Sequence, residues 1–156
     1  MKKSNWNLAD HPKMPRPKSN DEYLEKMSMV IFSAGLNWSV IDKKWPDIKK
    51  LFVGFAINKV AKMNEIDKKE LLENPKMIRS LPKINAVIKN SNSLLDVIKE
   101  FGSIKTYIRK KKAEGEQALI KDLKKRFAFL GDSTSVMFLY GVGEEMPQAA
   151  KKLHHK

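Results

Sequence analysis

The segment from Phe127 to Gly143 contains the residues whose types and spacing best suit phosphate binding. Gly131 can adopt a positive φ, and the Asp, Ser and Thr residues that follow it can cap a helix. A helix start with free backbone N–H groups attracts anions, and basic residues just upstream add positive charge. The pattern predicts two helices joined by a tight hairpin. The candidate phosphate-binding residues are Gly131, Ser133, Thr134, Lys125 and Arg126.

No common catalytic motif is present elsewhere in the chain. The sequence has no P-loop, no dinucleotide-binding glycine pattern, no H-E-x-x-H and no nucleophile elbow. The histidines are His11, His154 and His155, all in the terminal segments, and cysteine is absent. We therefore expect no metal site and no cofactor. Spacing does not select one acidic residue as a catalytic carboxylate, so the catalytic residue stays unassigned.

Three aromatic residues each allow two interpretations. Trp38 lies just after Gly35 at the start of a predicted helix, so its indole ring can fill the core or form one wall of a cleft. An isolated Trp is more often a core residue. Phe127 and Phe129 alternate before the hairpin glycine, where they can clamp the hairpin to the body of the domain.

Length and charge limit the classes of protein to consider. A chain of 156 residues is most simply one domain, and its net charge of +13 with a pI near 9.8 attracts polyanions, of which nucleic acid is the leading one. A lysine-rich surface that serves solubility alone explains the charge equally well. No apolar run is long enough for a membrane span and no signal peptide is recognisable, so we expect a soluble protein in the cytoplasm, without a membrane partner.

Hydrophobic periodicity predicts an all-α fold, because apolar residues recur at helical spacing and no segment alternates as a strand does. Residues 1–19, rich in Lys and Pro, are expected to form a basic extended arm that Trp6 anchors to the body. Residues 20–145 form the helical domain, with the hairpin near 127–143, and residues 146–156 form a basic C-terminal tail.

The helix boundaries follow from caps and breakers. Asn20 or Asp21 is expected to cap the first helix, and Val40 is expected on the inward face of the second. The longest helical pattern ends at Gly102, which suits a C-cap. The lysine-rich segment 110–117 is predicted to be a charged loop.

Several sequence blocks occur in an order and spacing that carry further information: Val30–Trp38, Lys59–Ala61, Leu71–Arg79, Lys83–Ala86 with Asn90, Glu100–Ser103 with Tyr107, and Leu123–Gly131. Together they resemble the DNA-3-methyladenine glycosylase I family over roughly residues 20–145. The resemblance implies an all-α enzyme of the helix-hairpin-helix glycosylase superfamily. Such enzymes bind double-stranded DNA, flip a damaged base into a pocket and hydrolyse its N-glycosidic bond.

The resemblance also implies roles for individual residues. Trp38 matches the pocket tryptophan that stacks on the methylated base, and Leu36 matches the wedge that fills the gap in the DNA. Val30 falls on the position of the family's pocket glutamate and Ser33 on that of a glutamine, so the implied base pocket is Trp38, Val30 and Ser33. The family's zinc cysteines are missing.

Two functions from different classes follow from these observations. The first is a DNA repair glycosylase that excises an alkylated, 3-methyladenine-like purine from double-stranded DNA as a monomer associated with the nucleoid. The second is a non-catalytic relative that recognises DNA damage and retains the hairpin, for which Val30 is the main support. A structural protein with a merely solvating charge would leave the ordered sequence blocks unexplained.

Overall fold

The computed structural model describes residues 14–154, with side chains through residue 151. Within this range the regular structure is helical, which confirms the all-α prediction. The α-helices are α1 (Asn20–Ser33), α2 (Trp38–Leu51), α3 (Ile57–Val60), α4 (Glu65–Glu73), α5 (Leu81–Phe101), α6 (Ile104–Ala113), α7 (Glu116–Arg126), α8 (Asp132–Gly141) and α9 (Pro147–His154). None of them is long and apolar enough to cross a membrane.

The longest helix, α5, lies at the centre of the fold. Ser80 caps its first turn, where Pro82 is tolerated, and Gly102 ends it with a φ of 91°. Its inward side chains, including Ile84 and Leu94, are fully buried, and α1, α3, α4 and α6 pack against it. Because it has 21 residues, α5 is a rod about 30 Å long to which the shorter helices are fixed.

The predicted N-caps of α1 cap other helices. Ser19 is the N-cap of α1, so the prediction of Asn20 or Asp21 is wrong. The Asn20 Oδ1 atom accepts a hydrogen bond from Ile104 N at the start of α6 (3.1 Å), and Asp21 Oδ1 accepts one from Ile57 N at the start of α3 (2.9 Å). The first turn of α1 therefore fixes the starts of two helices that are distant in sequence.

Two local predictions are also wrong. Val40 is 42% exposed, because the inward face of α2 is formed by Ile41 and Ile48 on either side of Trp45. The predicted loop at 110–117 is mostly helical, since α6 continues to Ala113 and α7 begins at Glu116. Lysine is a good helix former, so the lysines at 110–112 do not end α6. The buried residues of α6 and α7 pack both helices against the rest of the fold.

Between α2 and α3 the chain makes a left-handed turn. Val53, Gly54 and Phe55 have φ values of 55°, 67° and 59°. This conformation is unfavourable for a β-branched or aromatic residue. It directs Phe55 into the core, where its ring stacks on those of Phe52 and Trp45 with centroid distances of 5.2 and 5.3 Å. Aromatic packing thus offsets the backbone strain.

The described part of the N-terminal arm lies against the corner between α8 and α9. Met14 N donates to Tyr140 O (3.3 Å), and the Arg16 side chain pairs with the buried carboxylate of Glu144 (3.3 Å). Lys112 on α6 pairs with the same carboxylate at 3.3 Å. Trp6 lies outside the described residues. The described part of the arm is therefore held by two ion pairs to one buried carboxylate.

Gly143 lies directly under the arm. Its φ is 84°, and a Cβ added there would be 2.7 Å from Met14 O. We expect Gly143→Ala to lower the free energy of unfolding by about 2 kcal/mol, from the positive φ and the displaced arm. Gly141→Ala is the matched control, since its Cβ meets nothing within 4 Å and lies in α8, where Ala is favoured by up to about 1 kcal/mol. Urea denaturation measures both, and equal stabilities for the two variants would contradict the prediction.

Candidate DNA-binding site and base pocket

The loop between α7 and α8 is held by two side chains from outside it. Asn90 on α5 accepts from Ala128 N (2.8 Å) and donates to Ala128 O (3.1 Å). The Thr134 hydroxyl accepts from Gly131 N (2.7 Å) and donates to Phe129 O (3.2 Å). Four backbone polar groups of a five-residue loop, 127–131, are thereby paired, so the loop has a fixed shape.

The start of α8 suits an anion. The N-cap is Gly131, which has no side chain to occupy the amide groups of the first turn, so the expected capping by Asp132 or Ser133 is not observed. The Thr134 side chain, in the first turn of α8, bonds back to the N-cap by accepting from Gly131 N. Asp132 would repel a phosphate, but Lys124 neutralises it across 3.0 Å.

A second exposed loop, 34–37, joins α1 to α2. Gly35 has a φ of 79°, which turns the chain so that the Leu36 side chain is 41% exposed. Asn37 caps α2 by accepting from Ser39 N (2.8 Å). From α5, the Lys83 ammonium group donates to Ala34 O (2.7 Å), and burial lowers the pKa of this lysine. Leu36 is therefore a protruding apolar side chain on a supported loop.

One face of α5 supports both loops. Lys83 and Asn90 are seven residues apart, which is close to two helical turns, so they share a face and are separated by about 10 Å along the axis. Lys89 adds a further bond, from its Nζ to Arg126 O at the end of α7 (2.8 Å). The loop at 34–37 and the hairpin are thus both attached to the same helix.

The residues expected to form the base pocket lie before and after the loop at 34–37. Trp38 is the first residue of α2 and is partly buried against the core. Val30 is buried in the last turns of α1, and the Ser33 hydroxyl donates to Val30 O (2.9 Å). The valine offers no proton acceptor to a base or to a water molecule.

The two basic residues before the hairpin have different environments. Lys125 is exposed and has no ion pair with a described residue. Arg126 donates to Asp122 (2.7 Å) and Glu100 (3.3 Å), and its guanidinium lies over the ring of Tyr107 (5.4 Å). The Tyr107 hydroxyl donates to Asp122 (2.5 Å), which together with burial raises the pKa of this tyrosine. Arg126 is thus engaged within the protein.

Sequence reasoning assigned no role to the residues that support the loops. Lys83 and Asn90 are in the blocks that carry the family resemblance, but only the fold shows what they bind. Of the two hairpin phenylalanines, Phe127 is buried at 4% exposure and clamps the hairpin as expected, whereas Phe129 is 47% exposed. The alternation of the two residues did not distinguish them; the positive φ of Phe129, 63°, interrupts the extended conformation between them.

The residues present do not fit the zinc site that the resemblance implies. The sequence has no cysteine, so no thiolate ligand exists. Among residues 14–154 no group of three or more His, Cys, Asp or Glu side chains could hold a metal ion.

Removing the Asn90 side chain tests its support of the hairpin. We expect Asn90→Ala to lower the free energy of unfolding by about 2 kcal/mol or more, because the N–H and C=O groups of Ala128 lose their partner. Asn85→Ala, at an exposed position of the same helix, is expected to change it by less than about 0.5 kcal/mol. Urea denaturation gives both values, and amide hydrogen exchange should be faster at residues 128–131 in the first variant. Unchanged exchange there would contradict the assignment.

The fold and sequence are similar to those of known proteins. A family model described as methyladenine glycosylase matches residues 13–125. The DNA-3-methyladenine glycosylase of Haemophilus influenzae is 30% identical over 148 residues, covering 82% of this chain and 80% of that protein. A crystal structure of 3-methyladenine DNA glycosylase I superposes with a TM-score of 0.75 at 25% identity, over 86% of this chain and 84% of the other. The Staphylococcus aureus enzyme gives 0.75 at 24% identity, over 86% and 81%, which supports the fold. The chain therefore belongs to the methyladenine glycosylase family.

Proposed function

We propose that Trp38, Val30 and Ser33 form the pocket that binds the excised base. By its family, this chain is a hydrolase of N-glycosidic bonds in alkylated DNA. The substrate is double-stranded DNA that contains 3-methyladenine or a related alkylated purine. The wedge is Leu36, and the hairpin binds the phosphate backbone. The expectation of a monomer stays a prediction.

The common support of the two loops by α5 carries this proposal. Base flipping requires that one protein element hold the phosphate backbone while another fills the gap left by the base. The exposed Leu36 suits the second task, and the start of α8 at Gly131 suits the first. Because Lys83 and Asn90 attach the two loops to one face of the same helix, both loops can act on one duplex.

The chemistry needs little from the pocket when the base is cationic. A purine alkylated at N3 carries a positive charge, so breaking the bond to C1′ returns an electron pair to the ring and releases a neutral base. The positive charge that develops on the deoxyribose is then captured by water, which loses a proton. The indole face of Trp38 favours a cationic ring, and binding and positioning supply the remaining acceleration. A pocket with Val30 in place of a carboxylate is compatible with this class of substrate.

The phosphate-binding residues are proposed to be Gly131, Ser133 and Thr134, with Lys125 beside them. Backbone amides at the start of α8 would receive the phosphate, and the charge of Lys125 would contribute through counterion release. Arg126 is proposed to act indirectly, since its guanidinium is already bonded to Asp122 and stacked within the protein. Its role is to fix the end of α7 from which the hairpin leaves.

A second candidate function is recognition of DNA damage without catalysis. One observation favours it, the buried valine at position 30, where the family resemblance implies a glutamate. Release of free 3-methyladenine from alkylated duplex DNA by the purified protein separates the two functions. Release supports the glycosylase, whereas tight binding to a duplex with an abasic-site analogue without any release supports the second function.

Trp38→Ala tests the base pocket. We expect base release to slow by about tenfold or more, because the cationic base loses its stacking partner. Binding to an abasic-site duplex should change little, since that duplex has no base to stack. The control is Val40→Ala, an exposed position less than one turn away on α2, which should leave both measurements unchanged. Equal losses of binding and release in Trp38→Ala, together with reduced stability, would make Trp38 a core residue.

Lys125→Ala and Arg126→Ala are neighbouring variants that should affect different properties, DNA binding and stability respectively. Lys125→Ala should weaken binding to any duplex and reduce the slope of log K against log salt by about 1, because one phosphate contact is lost. Arg126→Ala should lower the free energy of unfolding by about 1–3 kcal/mol, since Asp122 loses a charged partner. Binding titrations at several salt concentrations and urea denaturation measure the two effects. A change of salt slope confined to Arg126→Ala would reverse the assignment.

A further inference from the structure

The tip of the α7–α8 hairpin presents an aromatic ring that the proposed function has not used. Phe129 is 47% exposed, whereas its neighbours Phe127 and Leu130 are 4% and 5% exposed. The buried pair already attaches the hairpin to the core. The exposed part of the Phe129 side chain therefore does not contribute to this attachment.

The backbone conformation of Phe129 is costly. Its φ of 63° lies in the left-handed region, where a bulky residue is unfavourable and where glycine would be unstrained. Non-glycine residues persist in such conformations only where their surroundings enforce them, and they concentrate at functional sites. Here the surroundings are Asn90, which holds Ala128, and Thr134, which holds the carbonyl group of Phe129.

These contacts hold the backbone on both sides and leave the ring to project. The same Thr134 hydroxyl accepts from Gly131 N, so the backbone of Phe129 has a fixed position relative to the start of α8. The preceding residue, Ala128, is bonded through Asn90 to the helix that supports Leu36. The point from which the ring projects is therefore fixed with respect to both the proposed phosphate site and the proposed wedge.

The surroundings of the ring indicate what covers it. The start of α8, whose N-cap Gly131 has no side chain to cap the first turn, and the exposed Lys125 suit a polyanion better than an apolar protein surface. A duplex bound there through its phosphates presents deoxyribose rings and the edges of bases at the minor groove beside those phosphates. These are the apolar parts of DNA, and an aromatic ring gains from contact with them.

We propose that Phe129 is a second apolar contact to the DNA, packing against deoxyribose and base edges in the minor groove next to the phosphate bound at Gly131. Leu36 would occupy the gap at the flipped nucleotide, and Phe129 would hold the duplex from the other loop that α5 supports. This inference rests on the proposed DNA-binding function and adds a residue that determines affinity.

Three substitutions of Phe129 test the inference by binding to a duplex with a stable abasic-site analogue. Phe129→Ala and Phe129→Gly should each weaken binding by about tenfold, as expected for the loss of one aromatic contact. Phe129→Tyr keeps the ring and should bind within about twofold of the wild type. The salt slope should stay unchanged in all three, because no phosphate contact is removed.

Thermal stability separates function from structure. Phe129→Gly should melt at a higher temperature than Phe129→Ala, because glycine relieves the positive φ that alanine keeps, while both bind DNA equally weakly. Val53→Gly is a matched control, since Val53 is also apolar, 45% exposed and at a positive φ. It lies about 20 Å from Trp38 at the other end of α2, so its substitution should leave DNA binding unchanged.

Each outcome decides the inference. Wild-type affinity in Phe129→Ala and Phe129→Gly would overturn it, and so would a fall in salt slope that accompanies the loss, because the hairpin itself would then have been disturbed. Absence of base release by the wild type, with these binding results as expected, would count against the glycosylase alone. Failure of the wild type to bind any duplex would overturn both proposals.

Discussion

The spacing between Lys83 and Asn90 on α5 is the constraint on which the site depends. Each residue bonds to main-chain groups of a different loop, so neither loop can move along the helix without breaking a hydrogen bond. The two points of attachment lie about 10 Å apart along the helix axis, as a rise of about 1.5 Å per residue requires. The rest of the fold, from the caps at Asn20 and Asp21 to the aromatic cluster around Phe55, keeps the other helices packed around this rod.

Sequence reasoning predicted the elements with strong local signals. The periodic pattern that ends at Gly102 predicted α5, and the polar residues after Gly131 predicted the start of α8, because both depend on residues close together in the chain. The positive φ that Gly131 could adopt is found instead at Phe129, since Gly131 has a φ of −104°. Sequence reasoning failed where partners are distant. Asn20 looks like the cap of its own helix but bonds to Ile104, 84 residues away, and Asp21 bonds to Ile57, 36 residues away. Such pairings are set by tertiary packing, which no local pattern encodes.

Backbone strain is distributed unevenly between two loops with the same left-handed geometry. At Phe55 the strain is offset on the spot, because the ring it directs inward joins a stack with Trp45 and Phe52. At Phe129 the ring points outward, and the hydrogen bonds of Asn90 and Thr134 maintain the conformation without any such packing. The strain at Phe129 is therefore maintained by the hydrogen bonds of the loop and is not offset by packing of its own ring.

The ion pair between Arg16 and Glu144 closes a very long loop of the chain. Its partners are separated by 128 residues of sequence, and closing so long a loop before the intervening helices have packed costs conformational entropy without compensation. The pair can form only on a nearly complete α6–α8 surface, where Lys112 already faces the carboxylate. We expect residues 14–19 to detach from this surface before the α5-centred core unfolds, as a sub-global opening.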